Sequence, residues 1–224
     1  MNWILGVVFL IQLVILYFIS RVNIQKIFEV LRMFVRKDSF VFSLIAFIFL
    51  PGTILHELSH FFMATILLLK VREIHIFPKW DNGYIKLGSV VFEKKDVARS
   101  ILVGIAPIIV GLLFFWWLSA LRVMEINGFG IKAILIYVIF VLSTSMFSSK
   151  QDLVDIIYVI PICIVIGIIV YFFSPDFSFI TKQDIVIEAL QKFLYDVTSY
   201  LYISLAIHCL LLLILYLTLR IAKK

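Results

Sequence analysis

The segment His56-Glu57-Leu58-Ser59-His60 carries the side chains in this chain that are best suited to chemistry. Because an α-helix has about 3.6 residues per turn, His56 and His60 would lie on one helix face, where both imidazoles can reach one metal ion. The intervening Glu57 would lie beside the open coordination position of that ion and could accept a proton from water. The spacing therefore predicts a zinc site with two histidine ligands and a general base.

The motif lies near the middle of an apolar stretch that extends from Phe40 to Leu69. An unpaired charge at the centre of a membrane-spanning helix costs roughly 2.5 kcal/mol or more, so ionisable side chains there need partners. One metal ion would satisfy all three ionisable side chains of the motif at once. The alternative interpretation is a pair of neutral histidines that hydrogen-bond a neighbouring helix, with Glu57 protonated.

A zinc site that keeps one coordination position for water needs a third protein ligand. Asp152 is the preferred candidate, because it follows the polar segment 148–151 and directly precedes an apolar run that starts at Leu153. The same position would suit a helix N-cap. The other candidates are Asp155, His208 and Glu188. An isolated histidine within an apolar span, such as His208, is more typical of a hydrogen bond between helices.

The composition is typical of an integral membrane protein. Of the 224 residues, 63% are hydrophobic and 15% are charged, and the mean hydropathy is +1.13. Soluble domains are about 45–50% apolar and about 25% charged, so an ordinary cytosolic enzyme, a disordered chain and a disulfide-stapled secreted module are excluded. The net charge is +6, and the basic residues flank apolar runs. We therefore expect contact with lipid head groups and not with nucleic acid.

The apolar runs predict an all-α membrane fold, a polytopic bundle of about six transmembrane helices that forms a single domain over residues 1–224. The predicted spans are residues 4–19, 40–69, 100–120, 131–146, 153–173 and 200–219. Basic and apolar residues interleave over 21–38, which fits either an amphipathic helix at the interface or an extension of a neighbouring span. The charged segment 174–199 is predicted to be extramembrane or interfacial. Basic residues are spread evenly over alternate loops, so the sequence leaves the membrane orientation undetermined.

Residues 70–99, after the second span, are predicted to form a small β-hairpin insertion. Residues 71–77 mix apolar and polar side chains in a strand-like pattern, with Val71, Glu73, His75 and Phe77 at alternate positions, and Asn82-Gly83 lies between two apolar-rich runs. Asn-Gly in this setting is the strongest short-range signal for a hairpin. The hairpin is a candidate surface for pairing with an extended substrate strand, or a simple connector at the membrane interface.

Small polar side chains lie in or near the second and fourth spans. They could line a wet cavity at membrane depth, or they could serve the close packing of helices. These residues are Thr53, Ser59, Ser143, Thr144, Ser145, Ser148, Ser149 and Gln151.

On these features the chain resembles the site-2 proteases, a family of zinc metalloproteases that cut other proteins inside the membrane. The His-Glu-x-x-His motif lies in an early apolar span, and a strand-rich segment follows it. The next span contains Gly104-Ile105-Ala106-Pro107, where the family often has Gly-Pro. Asp152 lies near a later span, as the family's third zinc ligand does, although no Asn-Pro precedes it and Leu153 replaces the family's glycine. The resemblance extends over residues 40–155.

The resemblance implies Zn²⁺ as the cofactor, with His56, His60 and Asp152 as ligands and Glu57 as the catalytic base. The expected activity is hydrolysis of peptide bonds in the transmembrane segments of membrane-protein substrates. The expected location is a cell membrane, as a multi-pass protein. Two alternatives stay open. One is a catalytically inactive, protease-like scaffold, and the other is a membrane zinc endopeptidase resembling the prenyl-protein type, in which Glu188 would supply the third ligand.

Overall fold

The computed structural model describes residues 3–35, 37–77, 79–81, 84–86, 88–93, 96–147 and 184–222. Within these ranges the chain is mostly helical, and four short strands lie between the second and third helices. The helices are α1 (Trp3–Phe34), α2 (Asp38–Ile66), α3 (Val97–Ala120), α4 (Phe129–Ser145) and α5 (Asp184–Ala222), and a 3-10 turn covers Val123–Glu125. The strands are β1 (Val71–His75), β2 (Lys79–Asp81), β3 (Tyr84–Lys86) and β4 (Ser89–Phe92).

Four of these helices are long and apolar enough to cross a membrane. They contain the segments Ile4–Phe34, Asp38–Ile66, Val97–Ala120 and Glu188–Ala222. Less than half of the apolar window in each is buried inside the bundle, and each helix carries large apolar side chains that are exposed. A soluble protein rarely exposes so much contiguous apolar surface, whereas lipid solvates it. The helices therefore indicate a membrane protein with a mainly helical fold.

The first and last helices are much longer than the spans predicted within them. Helix α1 continues through the basic-apolar segment that begins at residue 21, so that segment extends the first span and is not a separate interfacial helix. Helix α5 begins at Asp184, ahead of the predicted span at 200–219. No proline or glycine interrupts either helix after Gly6. The backbone therefore has no reason to leave the helix where charged residues begin.

Helix α2 contains the His-Glu-x-x-His motif and has a defined C-terminal end. The amide of Leu67 donates to the carbonyl of Met63, and Leu68 takes a left-handed φ of 55°, which stops the helix. Helix α3 starts after Asp96, whose Oδ1 accepts a hydrogen bond from the amide of Arg99 at 2.8 Å. The Arg99 guanidinium also donates to the Leu67 carbonyl at 3.1 Å and so joins the two helix ends.

The strands after α2 confirm the small antiparallel sheet that the sequence predicts. β1 pairs with β4, with Val71 opposite Phe92, and β2 pairs with β3, with Asp81 opposite Tyr84. The β1–β4 pair packs on the end of α2 and on α3 through a small apolar cluster. The predicted Asn82-Gly83 turn belongs between β2 and β3 but lies outside the described residues.

Helix α4 is the shortest of the five described helices. It has 17 residues and covers Phe129–Ser145, close to the predicted span at 131–146. The predicted span at 153–173 lies outside the described residues. The total of six spans therefore stays a prediction.

Side-chain contacts give the relative directions of the first three helices. Phe28 of α1 packs on Phe42 of α2 with ring centroids 4.8 Å apart, and only the short segment 35–37 joins these helices. They are therefore antiparallel. Helices α2 and α3 are also antiparallel, because the contact between Arg99 and Leu67 joins the start of α3 to the end of α2.

Helix α4 runs in the same direction as α2. The hydroxyl of Tyr137 donates to the carbonyl of Ile48 at 2.7 Å, and further along both helices Gly52 lies against Val141. Because both contact positions advance together along the two chains, the helices are parallel.

Helix α5 runs parallel to α1. Gln12 contacts the carbonyl of Thr198, and Asn23 contacts His208, so the paired residues are separated by 186 and 185 positions. A nearly constant separation means that both helices advance in the same direction. Helices α1, α3 and α5 thus have one direction, and α2 and α4 have the opposite one.

Two apolar clusters hold the helices together. One cluster joins α1, α3, α4 and α5 around the buried side chains of Leu16, Phe115, Ile139 and Leu201. The other joins α1, α2 and α4, and it includes the ring pair Phe49 and Phe140 with centroids 5.6 Å apart. The second cluster therefore packs the face of α2 that carries the histidines against α1 and α4.

Candidate metal centre

The His-Glu-x-x-His motif is buried in the C-terminal half of α2. His56 is 4% exposed, and Glu57 and His60 are each 7% exposed. The two imidazoles are arranged edge to face, with ring centroids 4.7 Å apart and planes at 89°. Their Nε2 atoms lie 3.2 Å apart. Helix α2 therefore brings two imidazole nitrogens within 3.2 Å of each other, in the same buried segment as the carboxyl group of Glu57.

The separation of the two nitrogens fits a pair of ligands on one zinc ion. Zn–N bonds are about 2.0–2.1 Å long, and a tetrahedral angle between two such bonds places the nitrogens about 3.3 Å apart. An N–H···N hydrogen bond between two neutral imidazoles has a similar length, so the same geometry also suits the metal-free protein. The histidine pair thus accommodates a zinc ion at its present spacing.

A carbonyl of α3 holds the second histidine in one orientation. Nδ1 of His60 lies 2.8 Å from the carbonyl oxygen of Val103. A carbonyl oxygen can only accept a hydrogen bond, so we assign the hydrogen to Nδ1 and the lone pair of the neutral ring to Nε2. Zinc-binding histidines generally donate from their second ring nitrogen in this way. Helix α3 therefore sets both the orientation and the tautomer of His60.

The connection between β3 and β4 covers one side of Glu57. A β-carbon built on Gly88 would lie 2.5 Å from Cγ, 2.7 Å from Oε1 and 2.8 Å from Cδ of Glu57. These distances are far below van der Waals contact, so any larger residue would have to displace the glutamate side chain. The absence of a side chain at Gly88 thus allows the sheet to lie directly on the candidate base.

Helix α4 approaches α2 closely just before the first histidine. A β-carbon built on Gly52 would lie 2.7 Å from Val141 Cγ1 and 2.8 Å from both the Val141 carbonyl oxygen and Ser145 Oγ. Small residues permit such close contact between helix backbones in membranes. The turn that leads into His56 therefore packs directly on α4.

The hydroxyl groups near the motif bond to their own helices. Each donates to a carbonyl three or four residues earlier in the chain, and all of them are buried. They are Thr53, Ser59, Ser143, Thr144 and Ser145. These contacts favour the helix-packing interpretation over a wet cavity. Ser148, Ser149 and Gln151 lie outside the described residues.

The structure bears on two of the four candidates for the third ligand. Asp152 and Asp155 lie outside the described residues, whereas Glu188 is exposed near the start of α5. Over the ranges that the structure describes, no three or more His, Cys, Asp or Glu side chains are grouped closely enough to hold a metal ion. Neither Glu188 nor His208 therefore joins the histidine pair.

His208 belongs to a hydrogen-bond network that joins α1, α4 and α5. It is fully buried, and Asn23 Nδ2 lies 3.0 Å from its Nδ1 and 3.1 Å from its carbonyl oxygen. Its Nε2 lies 3.1 Å from Ser143 Oγ, which donates its own hydrogen to the carbonyl of Phe140. Nε2 of His208 is therefore the donor to Ser143, and Nδ1 accepts from Asn23. This is the interhelical hydrogen bonding that an isolated histidine in an apolar span suggests.

Two contacts of the centre have no signature in the sequence near the motif. Gly88 and the carbonyl of Val103 reach Glu57 and His60 from other elements, across long stretches of chain. The family resemblance points to the segment 104–107, which begins directly after Val103. It gives no indication of a role for the Val103 carbonyl.

Comparison of the chain with protein-family models, with curated protein sequences and with solved structures finds no match in any of the three. The fold defines a mainly helical membrane protein with a small antiparallel sheet. Its candidate site is a buried histidine pair beside a buried glutamate. The function is therefore argued from these residues and their contacts.

Proposed function

We propose that this protein is a multi-pass, intramembrane zinc-dependent endopeptidase of the cell membrane that hydrolyses peptide bonds in membrane-protein substrates. The observation that carries the proposal is the 3.2 Å separation of the His56 and His60 Nε2 atoms, in the same buried segment of α2 as Glu57. The order of motif, strand segment and following helix, which resembles that of the site-2 proteases, supports the same function.

A zinc ion bound between the histidines would supply a Lewis acid that polarises the scissile carbonyl and acidifies a water molecule. Glu57 would accept a proton from the attacking water as the water oxygen bonds to the carbonyl carbon. Glu57 then passes the proton to the amide nitrogen as the C–N bond breaks, which gives a carboxyl and an amine product. His60 is held in place by the Val103 carbonyl throughout.

Asp152 is proposed as the third ligand. It precedes an apolar run as a candidate helix start, and its carboxylate is a suitable zinc ligand. Glu188 and His208 do not join the histidine pair, which leaves Asp155 as the remaining alternative. Zinc coordination by Asp152 would complete a site with two histidines, one carboxylate and one position for water.

The substrates are proposed to be transmembrane segments of other proteins. The histidine pair lies inside one of the helices that are apolar enough to cross a membrane, which supports a substrate that reaches it from within the bilayer. A helical substrate must first unwind, because its carbonyls are hydrogen-bonded within the helix. The sheet that touches Glu57 at Gly88 offers strand edges on which an unwound segment could pair.

The two alternative functions make different demands on the chain. A zinc endopeptidase resembling the prenyl-protein type would need Glu188 as a ligand, but that side chain is exposed near the start of α5. An inactive scaffold would not need a buried His-Glu-x-x-His motif, which is costly to keep in a membrane helix without a function. The intact motif therefore favours the enzyme.

The first test is the zinc content of the purified, detergent-solubilised protein. We expect about one zinc per chain in the parent and none in His60→Ala or Asp152→Ala, because each substitution removes a ligand. His75→Ala, which alters the histidine in β1, is the matched control and should retain zinc. Loss of zinc in His60→Ala alone would move the third ligand to Asp155. A freshly prepared parent without zinc would contradict the metal centre.

The second test separates the enzyme from the scaffold. Glu57→Gln should keep its zinc but lose at least about 100-fold in cleavage rate, since the amide cannot act as a base. The assay is mass spectrometry of products after reconstitution in phospholipid vesicles with a panel of single-span fusion proteins. Cleavage at the parent rate by Glu57→Gln would overturn the mechanism. If Glu57→Gln retains partner binding and the cells that carry it keep the phenotype of the parent, the inactive scaffold would be supported.

A further inference from the structure

Pro107 in the interior of α3 changes the hydrogen bonding of the backbone one turn earlier. In an α-helix the carbonyl of residue i accepts a hydrogen bond from the amide of residue i+4. Proline has no amide hydrogen, and Pro107 lies well inside the helix Val97–Ala120. The carbonyl of Val103 therefore lacks the donor that its own helix would supply from position 107.

The carbonyl of Val103 is instead used by the candidate metal centre. Its oxygen lies 2.8 Å from Nδ1 of His60. Val103 is 1% exposed and Pro107 is buried, so water is not at hand to satisfy this oxygen. In an apolar membrane interior an unpaired carbonyl is strongly unfavourable, and the imidazole hydrogen removes that cost. The histidine and the carbonyl thus satisfy each other across two helices.

We propose that Pro107 is a positioning residue for the metal centre. By withholding an amide hydrogen from α3, it reserves the Val103 carbonyl for His60 Nδ1 and directs the lone pair of Nε2 towards His56. Pro107 touches neither metal nor substrate in this role and acts only through the backbone of α3. The inference rests on the proposed zinc site for its functional meaning, but the hydrogen bond itself does not depend on zinc.

The test is the tautomer of His60 in the metal-free protein, read by NMR of protein labelled with ¹⁵N-histidine. The chain has four histidines, and His60→Gln identifies the signal of interest. We expect the Nδ1–H tautomer in the parent. In Pro107→Ala the restored amide competes for the Val103 carbonyl, so we expect a mixture of tautomers and a 10- to 100-fold weaker zinc affinity, roughly the effect of losing an outer-shell partner. The thermal midpoint should stay the same or rise, because alanine is the better helix former.

Pro51→Ala is the matched control, because Pro51 is the helix-internal proline of α2. The carbonyl that it leaves without a helical donor belongs to Phe47, which is 72% exposed and not at the centre. This variant should keep the His60 tautomer of the parent. The Nε2–H tautomer in the parent, or a Pro107→Ala protein with unchanged tautomer and zinc affinity, would overturn the inference. A shifted tautomer in a chain that never binds zinc would uphold the hydrogen bond and contradict the proposed enzyme.

Discussion

Glu57 is enclosed on one side by the backbone of Gly88, which lies between β3 and β4. His60 is held by the carbonyl of Val103 in α3. Both contacts come from main-chain atoms, which have little freedom to move once the helices and the sheet are packed. The candidate general base and the candidate ligand are thus held in position without extra side chains. A methyl group added at such a contact should therefore lower the cleavage rate more than it lowers the stability of the fold.

The clearest residue-scale prediction concerns Gly88→Ala. The φ of this glycine lies outside the left-handed region, so the backbone admits alanine, but the new methyl group would lie 2.5 Å from Glu57 Cγ. The glutamate must then move by an ångström or so, and a displacement of that size can lower a rate about 10- to 100-fold. Cleavage in vesicles and zinc content measure the two consequences. We expect slower cleavage and unchanged zinc.

Gly130→Ala is the control for this prediction, because nothing lies within 4 Å of a β-carbon built there. It should cleave at the parent rate. Parent activity in Gly88→Ala would show that Glu57 has room to move, or that it is not the base. Loss of zinc in Gly88→Ala would place the disturbance at the histidines instead.

The helices α2 and α4 meet at Gly52, one turn before His56. In Gly52→Ala the new β-carbon would lie 2.8 Å from the Val141 carbonyl oxygen, and a backbone atom cannot rotate away. The two helices must separate, so we expect a loss of about 1–3 kcal/mol in the free energy of unfolding, typical of overpacking. Zinc affinity should fall as well, because the shifted turn carries His56. Unfolding in detergent and chelator competition measure both.

Gly6→Ala provides the comparison for a helix glycine without a close neighbour, since a β-carbon there has nothing within 4 Å. It should be neutral or slightly stabilising, because alanine is favoured over glycine in helices by up to about 1 kcal/mol. If Gly52→Ala and Gly6→Ala changed the free energy of unfolding equally, the helices α2 and α4 would be farther apart at Gly52 than the structure shows.

The network at His208 joins α1, α4 and α5 and has a separate role from the metal centre. In His208→Leu, the amide of Asn23 and the hydroxyl of Ser143 lose a buried partner. We expect a loss of about 1–3 kcal/mol in stability, the usual cost of unsatisfied buried groups, with zinc content unchanged. Thermal unfolding and metal analysis of the same sample distinguish the effects. A variant that loses zinc but not stability would make His208 a ligand.

The directions of the helices predict where the two ends of the chain lie. If α1 and α5 both cross the bilayer, their parallel arrangement puts the start of α1 and the end of α5 on opposite sides. Reporters fused at the two ends should therefore give opposite signals in a topology assay. Reporters inserted in the segments before α2 and after α3 give the corresponding internal controls.

A bundle with six consecutive crossings would instead place both ends on the same side of the membrane. The same reporter signal at both ends would therefore support the six-span prediction from the sequence and contradict the parallel packing of α1 and α5. Opposite signals would favour an odd number of crossings. The assay thus decides a property of the whole molecule that hydropathy alone leaves undetermined.

The amino-acid sequence by itself determined the features that depend on local periodicity. A high apolar content predicts a helical membrane bundle, and the described part of the chain is mainly helical, with four helices of sufficient length. The Asn-Gly signal predicts the antiparallel strand segment, which the paired strands confirm. The four-residue spacing of His56 and His60 predicts that both rings share a helix face. The ends of α1 and α5 were less predictable, because charges do not stop a helix that lacks proline or glycine.

Only the tertiary structure decided which distant groups complete the site. The His60–Val103 hydrogen bond spans 43 positions, and the His208–Asn23 contact spans 185. Such contacts depend on how helices pack, since a one-turn slide of α3 would present a different carbonyl to His60 with no change in local pattern. Pro107 has no amide hydrogen whatever the packing, but only the packing of α2 on α3 selects the side chain that uses the freed carbonyl.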